Sequence, residues 1–370
     1  MILSTIRLKN FRIHKELELK FSEKLNYIVG GNGEGKTSIL ESIYFLCTTK
    51  SYNAKSDGEV VSFNDNEFEI EGLFKDLTQD NVKVFFSLDE NKKSYIQNNK
   101  IVSRSSEVIG KFPVVILAPA DHSITQGSPS ERRKFVDSVI SQASETYLKN
   151  LLDYNKTLRQ RSTLLTRIKE GRNGNLLPEL EAWTERLIQL GTDLIEHRII
   201  FIKEFNDYIK ESYKIIMGSD EIPGVYYSFL EDFQEGSIKD NFRSVLEKRK
   251  EDEMRRAANL VGPHRDDYIF EINNLNLKTY GSQGQHKTYQ VVLRFAEFFY
   301  LKESTGKTPL FLLDDVFGEL DASRSAKISE YLRDVGQAFI TITDFSNLSF
   351  LKIKSEDMII KLKNGVVANA

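Results

Sequence analysis

The chain has a single cysteine, Cys47, so no internal disulfide can form and a disulfide-stapled extracellular scaffold is excluded. Its five histidines are scattered without the spacing of a zinc site, so any metal is expected to be Mg²⁺ held together with phosphates. No apolar run approaches the length of a membrane span. The opening segment, MILSTIRLKNF, carries no signal-peptide core or cleavage site, and the expectation is a cytoplasmic protein without membrane contact. An excess of one charge is also missing: 51 Lys and Arg stand against 54 Asp and Glu, a net charge of −3. Any contact with nucleic acid must therefore come from a local patch. Internal repeats and low-complexity tracts are absent too. At 370 residues, 40% apolar and 28% charged, the chain is long enough for two domains or for one domain with a large insertion.

What is present starts with Gly30-Gly31-Asn32-Gly33-Glu34-Gly35-Lys36-Thr37, a complete G-x-x-x-x-G-K-[ST] phosphate loop. Before it, Leu25, Tyr27, Ile28 and Val29 read as a strand; after it, Ile39, Leu40, Ile43, Tyr44 and Leu46 recur at helical spacing. In this setting the glycines let backbone N–H groups turn toward phosphates, and the helix N-terminus adds positive potential. Lys36 then reaches the β and γ oxygens and Thr37 ligates Mg²⁺, so a nucleoside triphosphate is the expected ligand.

The remaining pattern predicts a split α/β domain. Residues 1–118 are strand-rich, with Ile2 to Leu8, the alternation Leu17/Leu19/Phe21, Phe68/Ile70, Val82/Val84/Phe86/Leu88, a turn at Asn98-Asn99, and the apolar run Val114 to Leu117. Residues 119–258 read as mainly helical, with helices over Glu131 to Ala143, Tyr147 to Glu170, Glu179 to Ile216 and Ile238 to Met254, punctuated at Arg172 to Asn175 and at Pro223-Gly224. Strands return at Tyr268 to Ile272, Leu310 to Leu313, Phe339 to Ile342 and Met358 to Leu362. The expected architecture is a P-loop domain of residues 1–118 and 259–370, interrupted by a helical insertion of residues 119–258.

Pro309 to Leu313 followed by Asp314-Asp315 is an apolar strand ending in two carboxylates, the form of a Walker B element. The carboxyl end of a parallel strand faces the nucleotide, so Asp314 can enter the Mg²⁺ shell while Asp315 orients the attacking water. Gly318-Glu319-Leu320-Asp321 follows, and Asp321 can cap the helix starting at Ala322. Gly281-Ser282-Gln283-Gly284-Gln285 opens another helix, His286 to Lys302, and is a second anion-binding turn.

The order of these motifs resembles the ABC-type ATPase head of the Rad50 and SMC class, with Ser282 to Gln285 at the signature position, Asp314 and Asp315 as Walker B, and Gly318 to Asp321 as the D-loop. Three further stretches resemble the RecF family of bacterial recombination mediators: Lys9-Asn10-Phe11-Arg12; Pro119, Asp121, Gly127, Pro129, Arg132-Arg133, Phe135 and Asp137; and Gly262-Pro263-His264-Arg265-Asp266-Asp267. The resemblance spans the whole chain. It implies ATP and Mg²⁺ as cofactors, an ATP-driven homodimer, DNA-dependent ATP hydrolysis, binding to duplex DNA and single/double-strand junctions, and work with RecR and RecO in loading RecA. It also adds Arg12 and Ser38 to the nucleotide contacts. Departures from the class are Ala120 between Pro119 and Asp121, no clear Q-loop glutamine, Gln126 being a poor match, and no switch histidine, where Thr341 or Thr343 stands in. Asp315 replaces the glutamate of the wider class, so slow turnover is expected.

Lys156, Arg159, Arg161, Arg167, Lys169 and Arg172 face a single Glu170 in one helical segment, and Lys156, Arg159, Arg161 and Arg167 are the candidate contacts to DNA phosphates. A solvated helix face explains the same pattern. Lys248-Arg249-Lys250 and Arg255-Arg256 carry the same two readings, while Arg132, Arg133, His264 and Arg265 are open between structural and functional roles. Two other functional classes fit the phosphate loop. A small-molecule phosphotransferase or kinase would use the helical region as a lid, and a transporter ATPase subunit is disfavoured by the missing switch histidine and by the Lys-Asn-Phe-Arg segment.

Overall fold

A computed structural model describes residues 1–171, 175–218, 221–230, 236–319, 322–343 and 353–368. The described chain divides into two compact units, one of Met1–Asp121, Glu211–Asp220 and Lys287–Ala370, the other of His122–Lys210 and Glu221–His286.

In the first unit, β1 (Ile2–Phe11), β2 (His14–Lys20), β4 (Glu67–Lys75), β5 (Gln79–Ser87), β6 (Lys92–Gln97) and β7 (Lys100–Val102) form an antiparallel sheet in the order β2-β1-β4-β5-β6-β7. The turn between β6 and β7 falls at Asn98 and Asn99, both with positive φ, as a tight hairpin requires. A second sheet holds β3 (Leu25–Val29), β8 (Val114–Leu117), β12 (Leu310–Leu313), β13 (Ala338–Ile342), β14 (Met358–Lys363) and β15 (Val366–Val367) in the order β15-β14-β3-β13-β12-β8. Its pairings from β14 to β8 are parallel, and β12 is buried along its whole length. Strands shielded on both faces read as continuous apolar runs, which is why Leu310 to Leu313 shows no alternation.

Helix α1 (Lys36–Thr48) packs into the core that the two sheets share. Ile39, Leu40, Ile43, Phe45 and Leu46 join residues of β1 and β4 on one side and of β8, β12 and β13 on the other. Phe45 meets Phe11 and Phe68 edge-on at centroid distances of 6.4 and 5.5 Å, a favoured aromatic geometry. Gln337 ties the sheets together: its side chain accepts from Leu3 N–H at 2.7 Å and donates to the carbonyls of Leu3 and Ser22, both at 2.8 Å.

The second unit contains α2 (His122–Gln126), α3 (Pro129–Ala143), α4 (Glu145–Lys169), the greater part of α5 (Leu177–Met217), α6 (Ile238–Arg256) and α7 (Leu277–Tyr280). At 41 residues, α5 is about 60 Å long. The unit also has a small sheet, which combines the strand expected at Tyr268 to Ile272 with one the helical reading of residues 119–258 did not include. Strand β9 (Pro223–Ser228) pairs antiparallel with β10 (Asp267–Ile272), which pairs with β11 (Leu275–Asn276). Pro223-Gly224 therefore opens a strand instead of separating helices. Asn206 on α5 covers the free edge of β9, accepting from Val225 N–H at 2.8 Å and donating to Val225 C=O at 2.9 Å.

The unit boundaries differ from those expected at 118/119 and 258/259. Residues 259–286 group with the helices because β10 pairs with β9 and because buried side chains grip the loop before it. Arg198 on α5 donates to Pro263 C=O at 2.8 Å and to Asp137 at 2.7 Å, and pairs with Asp266. Arg132 makes a bidentate pair with Asp267, and Arg133 donates to Asp266 C=O at 2.6 Å. His264 and Arg265 both reach Asn259 C=O. Arg132, Arg133, His264 and Arg265 thus all make contacts within this unit.

His264 is half-buried with Nε2 3.2 Å from Asn259 C=O, which only accepts, so Nε2 carries the proton and Nδ1 accepts from the Tyr154 hydroxyl at 2.8 Å. Burial pushes its pKa down to about 4. The unfolded chain thus binds this proton more tightly than the folded one, and the stability contributed by neutral His264 is lost as pH falls from about 6.5 toward about 4. Urea unfolding at pH 7 and pH 5 should show wild type losing about 2 kcal/mol more than His264→Gln, which keeps a donor and an acceptor but does not titrate.

Candidate functional site

The phosphate loop bridges the end of β3 and the start of α1. Gly30 N–H donates to Ile342 C=O on β13 at 3.2 Å, and a Cβ on Gly30 would lie 2.9 Å from Leu362 C=O on β14, so the loop leaves the sheet through a gap that only glycine fits. Gly33 and Gly35 adopt φ of 83° and 88°. Behind Gly35 lies the buried ring of His14, whose Nδ1 and Nε2 are 2.7 and 3.1 Å from Gly365 C=O and Gly35 C=O. Glu34 accepts from Asn364 N–H, so the β14–β15 turn braces the loop from its other side. Gly31, Asn32 and Gly33 are exposed, and Ser38 is half-buried.

Lys36 curls back over this loop, its Nζ 2.6 Å from Gly30 C=O and 2.8 Å from Gly31 C=O. Burial lowers its pKa, and the carboxylates of Asp315, Asp314 and Glu34 counter that shift. Thr37 Oγ1 donates to Asp314 Oδ1 at 2.9 Å, joining the two motifs across 277 residues of sequence. Thr341 Oγ1 donates to the same oxygen at 2.9 Å, and Tyr52 donates to Oδ2 at 3.3 Å. Burial raises the pKa of Asp314, whereas these three hydrogen bonds favour the carboxylate. A hydroxyl and a carboxylate are hard oxygen donors of the kind that Mg²⁺ takes, so Thr37 and Asp314 fit that ion.

Asp315 is exposed, with φ of 51°, and its amide donates to Thr341 Oγ1 at 2.8 Å. Thr343 Oγ1 donates to its carboxylate at 3.4 Å. Both threonines considered as stand-ins for the switch histidine therefore touch the acidic pair. Arg12, also at positive φ, is held by Glu41 of α1 through a bidentate pair of 2.7 and 2.8 Å and donates to Glu59 C=O. That pairing holds its guanidinium pKa above the usual value. Tyr52, Glu41 and His14 were not anticipated from sequence. None belongs to a motif, and each is identified only by what it touches.

Ser282 to Gln285 open α8 (Gln283–Thr305) and lie in the second unit. They form a reciprocal cap: Ser282 Oγ accepts from Gln285 N–H at 3.2 Å, and Gln285 Oε1 accepts from Ser282 N–H at 2.9 Å. Gln285 also donates to Glu221. Gly318 lies in a short 3-10 turn, Val316–Glu319, and Asp321 lies outside the described residues.

The basic segment on α4 divides by burial. Lys156, Arg159 and Arg167 are exposed, as is Lys169, and Arg172 lies outside the described residues. Arg161 is a correction. It is buried and donates to Glu253 at 2.6 Å, Asn259 at 2.7 Å and Thr184 at 2.9 Å, linking α4 to α5 and α6. Each of its three nitrogens donates to a protein partner, and its burial removes it from any surface that meets DNA. Arg249 and Lys250 lie near carboxylates on α6 or α5, and Arg255 pairs with Asp252.

No helix among the described residues is long and apolar enough to cross a membrane. The family described as RecF/RecN/SMC N terminal domain matches residues 2–366. The DNA replication and repair protein RecF of Chloroherpeton thalassium is 39% identical over 361 residues, covering 95% of this chain and 97% of the relative. RecF of Salinibacter ruber is 38% identical, over 93% of this chain and 85% of its own. A solved structure of the recombination mediator protein RecF-ATP in the RecFOR pathway superposes with a TM-score of 0.89 at 31% identity, covering 99% of this chain and 96% of that one. An Smc head domain from Pyrococcus furiosus, at TM-score 0.57 and 14% identity over 99% of this chain and 94% of that one, shares the fold.

Gly35 combines positive φ with a neighbour that leaves no space, since a Cβ there would lie 2.6 Å from His14 Nε2, whereas a Cβ on Gly33 meets nothing within 4 Å. Gly33→Ala should cost only the left-handed backbone, about 1–2 kcal/mol. Gly35→Ala should cost more, by displacing His14, and should also weaken nucleotide binding. Chemical denaturation of the two variants together with equilibrium nucleotide titration checks the difference.

Proposed function

The chain belongs to the RecF family, and on that footing we propose that it is an ATP-dependent DNA-binding protein of recombinational repair and replication-gap repair. ATP brings two copies together, DNA stimulates slow hydrolysis, and the dimer assists RecA loading together with RecR and RecO. The single observation that carries the nucleotide reading is the Thr37–Asp314 hydrogen bond at the mouth of the phosphate loop, in a head with the ABC-type ATPase fold. In that site Lys36 and the loop amides would meet the phosphates, Thr37 and Asp314 would hold Mg²⁺, and Asp315 would orient the water. Mg²⁺ supplies charge neutralisation of the phosphate oxygens when bound.

The signature turn supports a composite site. Its reciprocal cap joins Ser282 and Gln285 through each other's amides, so the turn at the start of α8 is preformed and needs no ordering when a phosphate arrives. In the resembling class this turn closes on nucleotide held by the partner copy, which gives each protomer two half-sites. Contact with duplex DNA or with a single/double-strand junction is assigned to the exposed face of α4 at Lys156, Arg159 and Arg167. A phosphate-directed grip of this kind binds without reading bases.

Lys36→Ala should remove one half-site and Ser282→Arg, by bulk and charge at the cap, the other, so each variant alone should lose ATPase activity. Mixing them should restore part of it, through heterodimers with one intact pair of halves. No recovery with heterodimers demonstrated by sedimentation would reject sites that fire singly between chains.

Neutralising Lys156, Arg159 and Arg167 together should weaken binding to unrelated DNA sequences alike and reduce the salt slope by about 0.9 for each DNA phosphate that no longer meets a cation. Fluorescence anisotropy across a salt series measures both. An unchanged affinity and slope would mark α4 as a solvated face.

A further inference from the structure

The carboxylate of Asp314 receives three hydroxyl donors, and they are not equivalent. Thr37 and Thr341 both donate to Oδ1 at 2.9 Å, whereas among the described residues Oδ2 receives Tyr52 alone, at 3.3 Å. Each carboxylate oxygen has two lone-pair directions, so Oδ1 is filled by the threonines and Oδ2 keeps one free. The two threonines anchor Oδ1, and the Tyr52 hydroxyl adds the third point of attachment, on the oxygen that keeps the free lone pair.

Tyr52 itself is held at both ends. Its ring meets Tyr44 of α1 edge-on, at a centroid distance of 5.5 Å and 80° between planes. Its backbone is fixed by the preceding residue: Ser51 Oγ accepts from the amides of Asn53 and Ala54 at 2.9 and 2.7 Å and donates to Glu41. Glu41 in turn holds Arg12. The hydroxyl on Oδ2 is therefore delivered from a packed element and not from a mobile side chain, and it comes from a segment outside the phosphate loop, the Walker B strand and the signature turn.

We propose that Tyr52 is a positioning residue of the nucleotide site, which orients Asp314 through Oδ2 so that the Thr37–Asp314 pair presents the geometry Mg²⁺ demands. The inference rests on the nucleotide reading given above. A fixed carboxylate favours Mg²⁺, which requires near-ideal octahedral geometry, over Ca²⁺, which tolerates irregular shells. Tyr52 therefore contributes to the choice between these ions as well as to affinity.

The test is equilibrium binding of a fluorescent ATP analogue to the full chain without DNA, in EDTA and then titrated with MgCl₂ or with CaCl₂. Tyr52→Phe keeps the ring against Tyr44 and removes only the hydroxyl. It should leave affinity in EDTA unchanged, raise the Mg²⁺ half-saturation point about three- to tenfold, within reach of what loss of an outer-shell partner does to a metal site, and shift the Ca²⁺ curve less. In an Asp314→Asn background the same substitution should have no further effect, as residues acting through one another are non-additive. A Mg²⁺ curve superimposable on wild type, or one shifted to lower Mg²⁺, overturns the proposal. So does an equal loss of affinity in EDTA and in Mg²⁺, which would make Tyr52 a packing residue only. Absence of any analogue binding by wild type would instead overturn the nucleotide reading itself, so the two failures are distinct.

Discussion

The burial of α1 between two sheets is the constraint on which the head depends. A helix with apolar residues on one stripe docks on one surface; α1 is clamped on two, by β1 and β4 on one side and by β8, β12 and β13 on the other. Because its first residue is Lys36 and its N-cap is Gly35, clamping the helix fixes where the phosphate loop begins and ends. The loop can then be short, glycine-rich and largely exposed without losing its shape. His14 and the β14–β15 turn complete the support from beneath and from the side.

The second unit is organised differently, around buried charge. Arg198 gathers Asp137 from α3, the Tyr147 hydroxyl from α4, and Pro263 and Asp266 from the loop before β10, and Tyr227 of β9 donates to the same Asp266. Arg161 does the same for α4, α5 and α6. Removing one member of such a set leaves another charge buried without compensation, a cost of about 3–5 kcal/mol. That asymmetry gives each charge a specific place in the packing even where the pair itself contributes little net stability. Arg132-Arg133 and Asp266-Asp267 take part in the same kind of contact, tying α3 to the small sheet.

At the nucleotide site the buried hydrogen bonding concentrates on Asp314. Its carboxylate lies at the end of a strand with no polar neighbour in sequence except Asp315. The hydroxyls that reach it come from residues 37, 52 and 341. Asp315, one residue on, takes a left-handed backbone that carries its side chain to the exposed side, so two adjacent carboxylates acquire different surroundings and different chemistry.

The phosphate loop, the strand before it and the Asp314-Asp315 element were legible in sequence because each is a local pattern: a glycine spacing, an apolar run, a pair of acids at its end. Helices α3 to α6 were legible for the same reason, as was the capping turn at Ser282 to Gln285. Strand β9 was not, since six residues beginning Pro-Gly carry no period strong enough to overrule the helical stretches around them, and it exists because β10, some 40 residues later, pairs with it. Arg161 and Arg159 are likewise indistinguishable as a composition of basic residues. One faces water and the other faces Glu253, because a helix turns 100° per residue and two steps carry a side chain to another face. The amino-acid sequence by itself determined which groups can bind phosphate and metal, since that follows from residue type and local spacing. Tertiary structure alone decided which charges are enclosed and which hydroxyls orient Asp314, since both depend on contacts between residues far apart in the chain.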